Sequence, residues 1–161
     1  FTSSATVEHS GLCLEVNAGS TAAGAALVQN TCSGRPEQTF RFTVIDAARH
    51  LYTISAMHSG QCLAASAASA SDGVTLVQAA CTAGGNNPVQ QFRLEKLAAN
   101  GQRFRLRNIA TGRCADVSGN STRTGATVHH WTCQAPTAGR NQNWTLAGSA
   151  SAGFGAGSPP T

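Results

Sequence analysis

Six cysteines constrain this chain more than any other feature. They stand at Cys13, Cys32, Cys62, Cys81, Cys114 and Cys133, and the spacing from first to second, third to fourth and fifth to sixth is 19 each time. Six cysteines allow 15 pairings. Three identical spacings favour one bridge within each of three units: Cys13–Cys32, Cys62–Cys81 and Cys114–Cys133. No pair has the short C-x-x-C spacing of a zinc site. Each bridge closes a loop of about 20 residues, worth about 3 kcal/mol in chain-entropy terms. Such bridges persist in an oxidising compartment, so the expectation is a secreted protein.

The repetition extends beyond the cysteines. Ser10-Gly11-Leu12-Cys13, Ser59-Gly60-Gln61-Cys62 and Thr111-Gly112-Arg113-Cys114 open the three units in the same way. The glycine suits a tight turn entering a strand. A second glycine recurs at Gly24, Gly73 and Gly125, each before a β-type run: Ala26–Gln29, Thr75–Gln78 and Ala126–His130. Each unit closes on Gln-x-aromatic: Gln38-Thr39-Phe40, Gln90-Gln91-Phe92 and Gln142-Asn143-Trp144. First cysteines lie 49 and then 52 residues apart, a period that marks a repeat architecture. Each repeat reads as four short strands. In the third these are Arg103–Asn108, Cys114–Val117, Ala126–His130 and Gln142–Leu146. No segment has a capped helical period. About twelve strands in three equal units predict an all-β closed structure with pseudo-threefold symmetry and Phe40, Phe92 and Trp144 in its core.

Composition narrows the function classes. The chain has 161 residues, one domain's worth, with 41% hydrophobic and 11% charged residues; about 25% charged is ordinary. No stretch reaches the 18 or so apolar residues of a membrane span. The net charge is only +4. Arg103, Arg105 and Arg107 alternate along one strand, so they read as its solvent face and not, with Arg113, as a phosphate-binding patch; no nucleic-acid partner is expected. The seven acids, Glu8, Glu15, Glu37, Asp46, Asp72, Glu95 and Asp116, sit in no recognisable catalytic setting, and no cluster suits calcium. No cofactor or metal is expected. His129 and His130, adjacent on a strand, point to opposite faces. His9 and His58 share a repeat position and read as turn stabilisers, and Tyr52, Met57 and Phe104 as core or strand-face residues. From Gly148 to Thr161 the composition turns to Gly, Ser and Pro, linker chemistry. The expected organisation is therefore a domain over 1–147, with repeats about 4–45, 46–97 and 98–147, and a linker-like tail over 148–161.

Three units with Gly-x-Cys in front and Gln-x-Trp/Phe behind resemble the ricin B-type β-trefoil lectin domain, including the family 13 carbohydrate-binding modules. The resemblance covers about residues 4–147. It implies a β-trefoil, a sugar ligand and up to one site per repeat. In that family an Asp two residues after the first Cys accepts from sugar hydroxyls, a favourable charge-assisted contact. An aromatic two residues before the second Cys stacks on the apolar sugar face. A polar residue two positions earlier, and an Asn before the closing triplet, read individual hydroxyls. The third repeat fills every position: Asp116, Trp131, His129, Asn141 and Gln142. It departs from the pattern at His129, where Gln is frequent, and in the length of the Cys133–Asn141 stretch. The first repeat carries Glu15, Val28, Asn30, Glu37 and Gln38, a weak second site at most without a ring. In the second, Ala64, Val77, Ala79 and Val89 leave only Gln90, and the repeat reads as structural.

The resemblance thus implies a non-catalytic, monomeric carbohydrate-binding module recognising galactose or a galactose-containing polysaccharide, joined in a longer chain to a secreted glycan-active enzyme. Alternatives are a xylan- or arabinan-binding module, a lectin subunit of a toxin, and a trefoil that binds no sugar.

Overall fold

The computed structural model describes residues 1–98 and 101–152. Among the described residues the fold is all β, with only short 3-10 turns between strands. The first repeat contains β1 (Thr2–Ser3), β2 (Thr6–Val7), β3 (Cys13–Val16), β4 (Leu27–Asn30) and β5 (Phe40–Asp46). The second contains β6 (Leu51–Ala56), β7 (Cys62–Ala65), β8 (Val74–Ala79) and β9 (Phe92–Lys96). The third contains β10 (Arg103–Asn108), β11 (Cys114–Val117), β12 (Val128–Trp131) and β13 (Trp144–Thr145).

All pairings are antiparallel. β1 pairs β5, β5 pairs β6, β6 pairs β9, β9 pairs β10, β10 pairs β13, and β13 pairs β2. That circuit closes a barrel and leaves no free edge on it. The remaining strands form one hairpin per repeat, β3–β4, β7–β8 and β11–β12. The hairpins touch one another in rotation. β12 pairs β8, and single bridges join Ala26 to Val77 and Val28 to Thr127. A six-stranded barrel capped by three mutually contacting hairpins is a β-trefoil.

The thirteenth strand arises because the first strand of repeat 1 is split in two. β1 pairs with the closing strand of its own repeat and β2 with that of the third, the two roles that β6 and β10 each fill unbroken. Two strands of the third repeat differ from expectation. β12 starts and ends later than Ala126–His130, and β13 is shorter than Gln142–Leu146 because Arg140–Gln142 forms a 3-10 turn first. The packed domain also runs past 147. Ala147–Ala152 is a 3-10 turn, Gly148 N donates to Ser3 Oγ at 2.9 Å, and Ser149 is buried. The rest of the expected tail, 153–161, lies outside the described residues.

Each repeat enters its hairpin through the same turn. Gly11, Gly60 and Gly112 adopt φ of +71°, +70° and +66°, a region that costs other L-residues energy. The hydroxyl before each glycine accepts from the backbone N–H two residues on: Ser10 from Leu12, Ser59 from Gln61 and Thr111 from Arg113. The three disulfides form as the spacing predicts, each with Cα atoms 5.0 or 5.1 Å apart.

Phe40, Phe92 and Trp144 are fully buried and belong to one core cluster with Leu14, Leu63, Ala115 and Phe104. The third repeat fits the larger indole by a size exchange. Ala115 stands where the other repeats have Leu14 and Leu63, and the Trp144 Nε1–H donates to the Ala115 carbonyl at 3.1 Å. Large-for-small swaps that conserve volume are the tolerated kind in a close-packed core. Tyr52 and Phe104 are core residues, but Met57 is 41% exposed in the turn after β6. Its neighbour His58 reaches across repeats, its Nε2 meeting the Ser20 carbonyl, and His9 does the same to Ser121. These histidines staple one repeat to the next.

Candidate carbohydrate-binding site

The hairpin β11–β12 sets the third-repeat site. Its register pairs Cys114 with Trp131 and Asp116 with His129. Residues two apart on a strand share a face, so these four lie on one side of the hairpin. Ala115, Val117, Val128 and His130 lie on the other and are buried. The alternation separates His129 from His130 as the sequence predicts.

Asp116 is held by two donors. His129 Nε2 donates to Oδ1 at 2.8 Å, and Gln142 Nε2 donates to Oδ2 at 3.0 Å. A carboxylate offers about four acceptor positions, so hydroxyl donors can still be accommodated. Trp131, at the end of β12, is 37% exposed, an unusual placement for a large apolar ring. The His129 ring lies beside it with centroids 5.2 Å apart and planes within 22°. Asn141 Nδ2 donates to the Val117 carbonyl at 3.1 Å. The cleft so formed encloses about 280 Å³ and is lined by Asp116, His129, Trp131 and Asn141, together with Gly119, Asn120, Gln134 and Ala138.

Gln142 plays a different part from the other four. It is fully buried and does not line the cleft. Its Nε2 serves Asp116 and the Thr132 carbonyl, and its Oε1 accepts from Gln134 N. It positions the carboxylate and latches the loop after Cys133. Sequence reasoning missed Asn120 and Gln134. The signal for Asn120 was the Ser118-Gly119-Asn120 turn, where Asn120 takes a φ of +53°, a conformation asparagine tolerates better than most residues.

The first repeat brings its residues together differently. Glu15 Oε2 accepts from Asn30 Nδ2 and Oε1 from Gln38 Nε2, each at 2.9 Å. The longer acid and the short amide close on each other in the space between them. Glu37 extends over Gly19, where its Oε2 stands 3.1 Å from the position a Cβ would take. The second repeat has Ala64 opposite Val77. There Gln90 keeps only the loop latch, donating to the Ala80 carbonyl and accepting from Thr82 N. Among the described residues no group of three or more His, Cys, Asp or Glu gathers to hold a metal ion.

His130, on the core side of the same hairpin, marks a further departure from symmetry. In the other repeats its place is taken by Gln29 and Gln78. Gln29 Nε2 donates to the Ser121 and Arg123 carbonyls, and Gln78 Nε2 to those of Ser20 and Ala22. His130 instead bonds through Nδ1–H to the Val74 carbonyl at 2.9 Å, and its Nε2 has no partner among the described residues. Burial disfavours its charged form and pushes its pKa down to about 4.

The model of the ricin-type β-trefoil lectin domain-like family matches residues 4–79, 37–131 and 88–155. Those matches span nearly the whole chain, and the chain belongs to that family. Among solved structures it is similar to ThreeFoil, a designed threefold-symmetric protein, at 32% identity over 90% of this chain and 96% of that one, with a TM-score of 0.80. It shares its fold with an exo-β-1,3-galactanase from Clostridium thermocellum at 23% identity and a TM-score of 0.79, spanning 90% of this chain but 29% of the galactanase. It also shares its fold with the ricin B-like lectin of Macrolepiota procera, at 20% identity and a TM-score of 0.72 over 91% and 94% of the two chains. No curated protein matches the chain in sequence.

Proposed function

We propose that the chain is a non-catalytic carbohydrate-binding module with one working site, in the third repeat, for galactose or a galactose-containing glycan. The observation that carries this reading is the juxtaposition of a braced carboxylate, Asp116, and a half-exposed indole, Trp131, across one cleft. Asp116 would accept from a vicinal pair of hydroxyls, and the ring would cover the C–H face. His129 and Asn141 would read the remaining hydroxyls. Galactose suits such a pair because its axial 4-hydroxyl leaves several C–H groups together on the opposite face. The fold's likeness to part of an exo-β-1,3-galactanase and to a lectin in complex with lactose supports the choice.

One shallow site binds weakly, with Kd of about 0.1–1 mM, or about −4 to −5.5 kcal/mol. Such affinity becomes useful through attachment, since tethering raises effective concentration. The role we assign is to hold an attached secreted glycan-active enzyme near its polymer, outside the cell where the three disulfides persist. The domain proper ends near the 3-10 turn at 147–152, and the Gly/Ser/Pro composition beyond it serves as linker. The first repeat is left without a site in this reading, because Asn30, folded onto Glu15, stands where the third repeat has the stacking ring.

Titration of the wild type and Trp131→Ala with galactose, lactose, xylobiose and arabinobiose, followed by ligand-observed NMR, tests the reading. Galactose and lactose should bind to the wild type and not to the variant. Binding of xylobiose or arabinobiose alone would replace the sugar class, and equal binding by the variant would overturn the site.

A further inference from the structure

A second cleft shares a wall with the first. The segment 134–143 contributes Gln134, Ala138 and Asn141 to the Asp116–Trp131 cleft and Pro136, Thr137, Arg140 and Asn143 to a larger one of about 780 Å³. Arg103 from β10 and Glu8 from the turn after β2 add to its polar lining. Lys96, Arg103 and Arg140 line this cleft against a single acid, Glu8.

The guanidiniums there are only loosely engaged. Glu8 Oε1 accepts from Asn143 Nδ2 at 2.7 Å. Its Oε2 lies 3.3 Å from Arg103 Nη1 and 3.8 Å from Arg140 Nε. Even the nearest approach of each arginine to the carboxylate is thus long, and their side chains are 47% and 61% exposed. The same sheet shows what a closed pair looks like. Arg107 holds Glu95 with two bonds, 2.8 and 3.1 Å, and is 29% exposed. A guanidinium is a rigid fork suited to a planar anion. Two such forks sharing one acid leave donors and one positive charge facing the cleft.

We propose that this cleft is a binding site for the carboxylate of an acidic sugar, so that a glycan seated at Trp131 and crossing the 134–143 wall places a uronate residue on Arg103 and Arg140. The inference rests on the sugar-binding reading of the first cleft. It makes the ligand an acidic, galactose-containing chain and not a neutral one.

The test is an NMR titration of the full chain with a galactotriose, the same trisaccharide carrying a glucuronate, and the same carrying a sulfate ester. At low salt the glucuronate form should bind about tenfold tighter than galactotriose, as a charge-assisted pair allows, and should shift the Arg103 and Arg140 Nε–H signals. The gain should fade at high salt and vanish in the double variant Arg103→Gln/Arg140→Gln, whose affinity for galactotriose stays unchanged. Equal affinity for the acidic and neutral chains, a gain that survives the double variant, or a preference for the sulfate ester overturns the proposal. Free glucuronate separates the two ways of failing. Lactose binding at Trp131 with no arginine shifts from glucuronate overturns this inference alone. Arginine shifts without lactose binding overturn the Trp131 site and, with it, the glycan that spans both clefts.

Discussion

The third and second repeats are built on the same frame and differ in what the frame carries. Both have a disulfide of equal span, a positive-φ glycine before the first cysteine, and a buried glutamine that latches the loop after the second. The latch has the same atoms in both. Gln90 Oε1 accepts from Thr82 N and Nε2 donates to the Ala80 carbonyl; Gln142 repeats this with Gln134 N and the Thr132 carbonyl. Only Gln142 has a carboxylate for its second amide hydrogen. Where the third repeat places Asp116, His129 and Trp131, the second places Ala64, Val77 and Ala79. In the proposed reading folding and binding therefore draw on separate residues, and the shared glutamine is where the two requirements meet.

The largest expected effect concerns a residue that breaks the symmetry on the core side. His130 is held neutral, with a pKa of about 4 in the folded protein against the ordinary 6.5. Below pH 6.5 the unfolded chain takes up a proton that the folded one refuses, so stability is full above that pH and falls as the pH drops toward 4. The loss approaches about 3 kcal/mol, from 1.36 kcal/mol per pKa unit. Denaturant midpoints measured between pH 7 and 4 should show this slope. His130→Gln, which restores the residue of the other repeats, should flatten it.

The latch comes next. Gln90→Ala and Gln142→Ala should each cost about 2 kcal/mol, since each removes a buried side chain together with its two hydrogen bonds to the loop backbone. Urea unfolding should find the two similar, while calorimetry should find lactose binding lost only in Gln142→Ala, through the freed Asp116. Loss of stability in one variant alone would break the equivalence of the repeats.

Trp131→Ala is expected to weaken sugar binding more than tenfold, from a stacking contact worth about 1.5 kcal/mol. Its effect on thermal stability should stay within about 0.5 kcal/mol, as for an exposed position. The smallest change sharpens the comparison from the other side. Ala79→Trp adds a ring to the second repeat, opposite no carboxylate, and should yield no sugar binding there and a stability change within about 0.5 kcal/mol. A second binding event in that variant would show that stacking suffices without an acid.

Much of this frame was legible in the sequence because its determinants are local. Cysteine spacing, the hydroxyl-Gly turns and the Gln-x-aromatic triplets each act within a few residues or one hairpin. The resemblance to the ricin B-type family implied that Asp116, Trp131, His129 and Asn141 share one site, and the β11–β12 register puts the first three on one face. What could not be read depended on contacts distant in sequence. The split of the first strand into β1 and β2 reflects which closing strands it must pair, one near and one far along the chain, as in the Thr6–Thr145 pairing, whose positions differ by 139. Gln142 carries a site motif but is buried behind the acid it supports, a role that only its hydrogen bonds reveal. The second cleft draws Glu8, Arg103 and Arg140 from opposite ends of the chain. The domain's end lay beyond Ala147 because Gly148 packs on β1, a contact that a glycine-rich composition conceals.

The central claim, one frame used three times with a single working site, is tested most directly by following every backbone amide while lactose is added to the ¹⁵N-labelled chain. The account predicts that shifts cluster at Asp116, Gly119, His129, Trp131, Gln134 and Asn141, including the Trp131 indole, and that the amides around Glu15, Asn30, Ala64 and Ala79 stay still. Shifts of equal size at Glu15 and Asn30, or a set of shifts that leaves Trp131 unmoved, would contradict it.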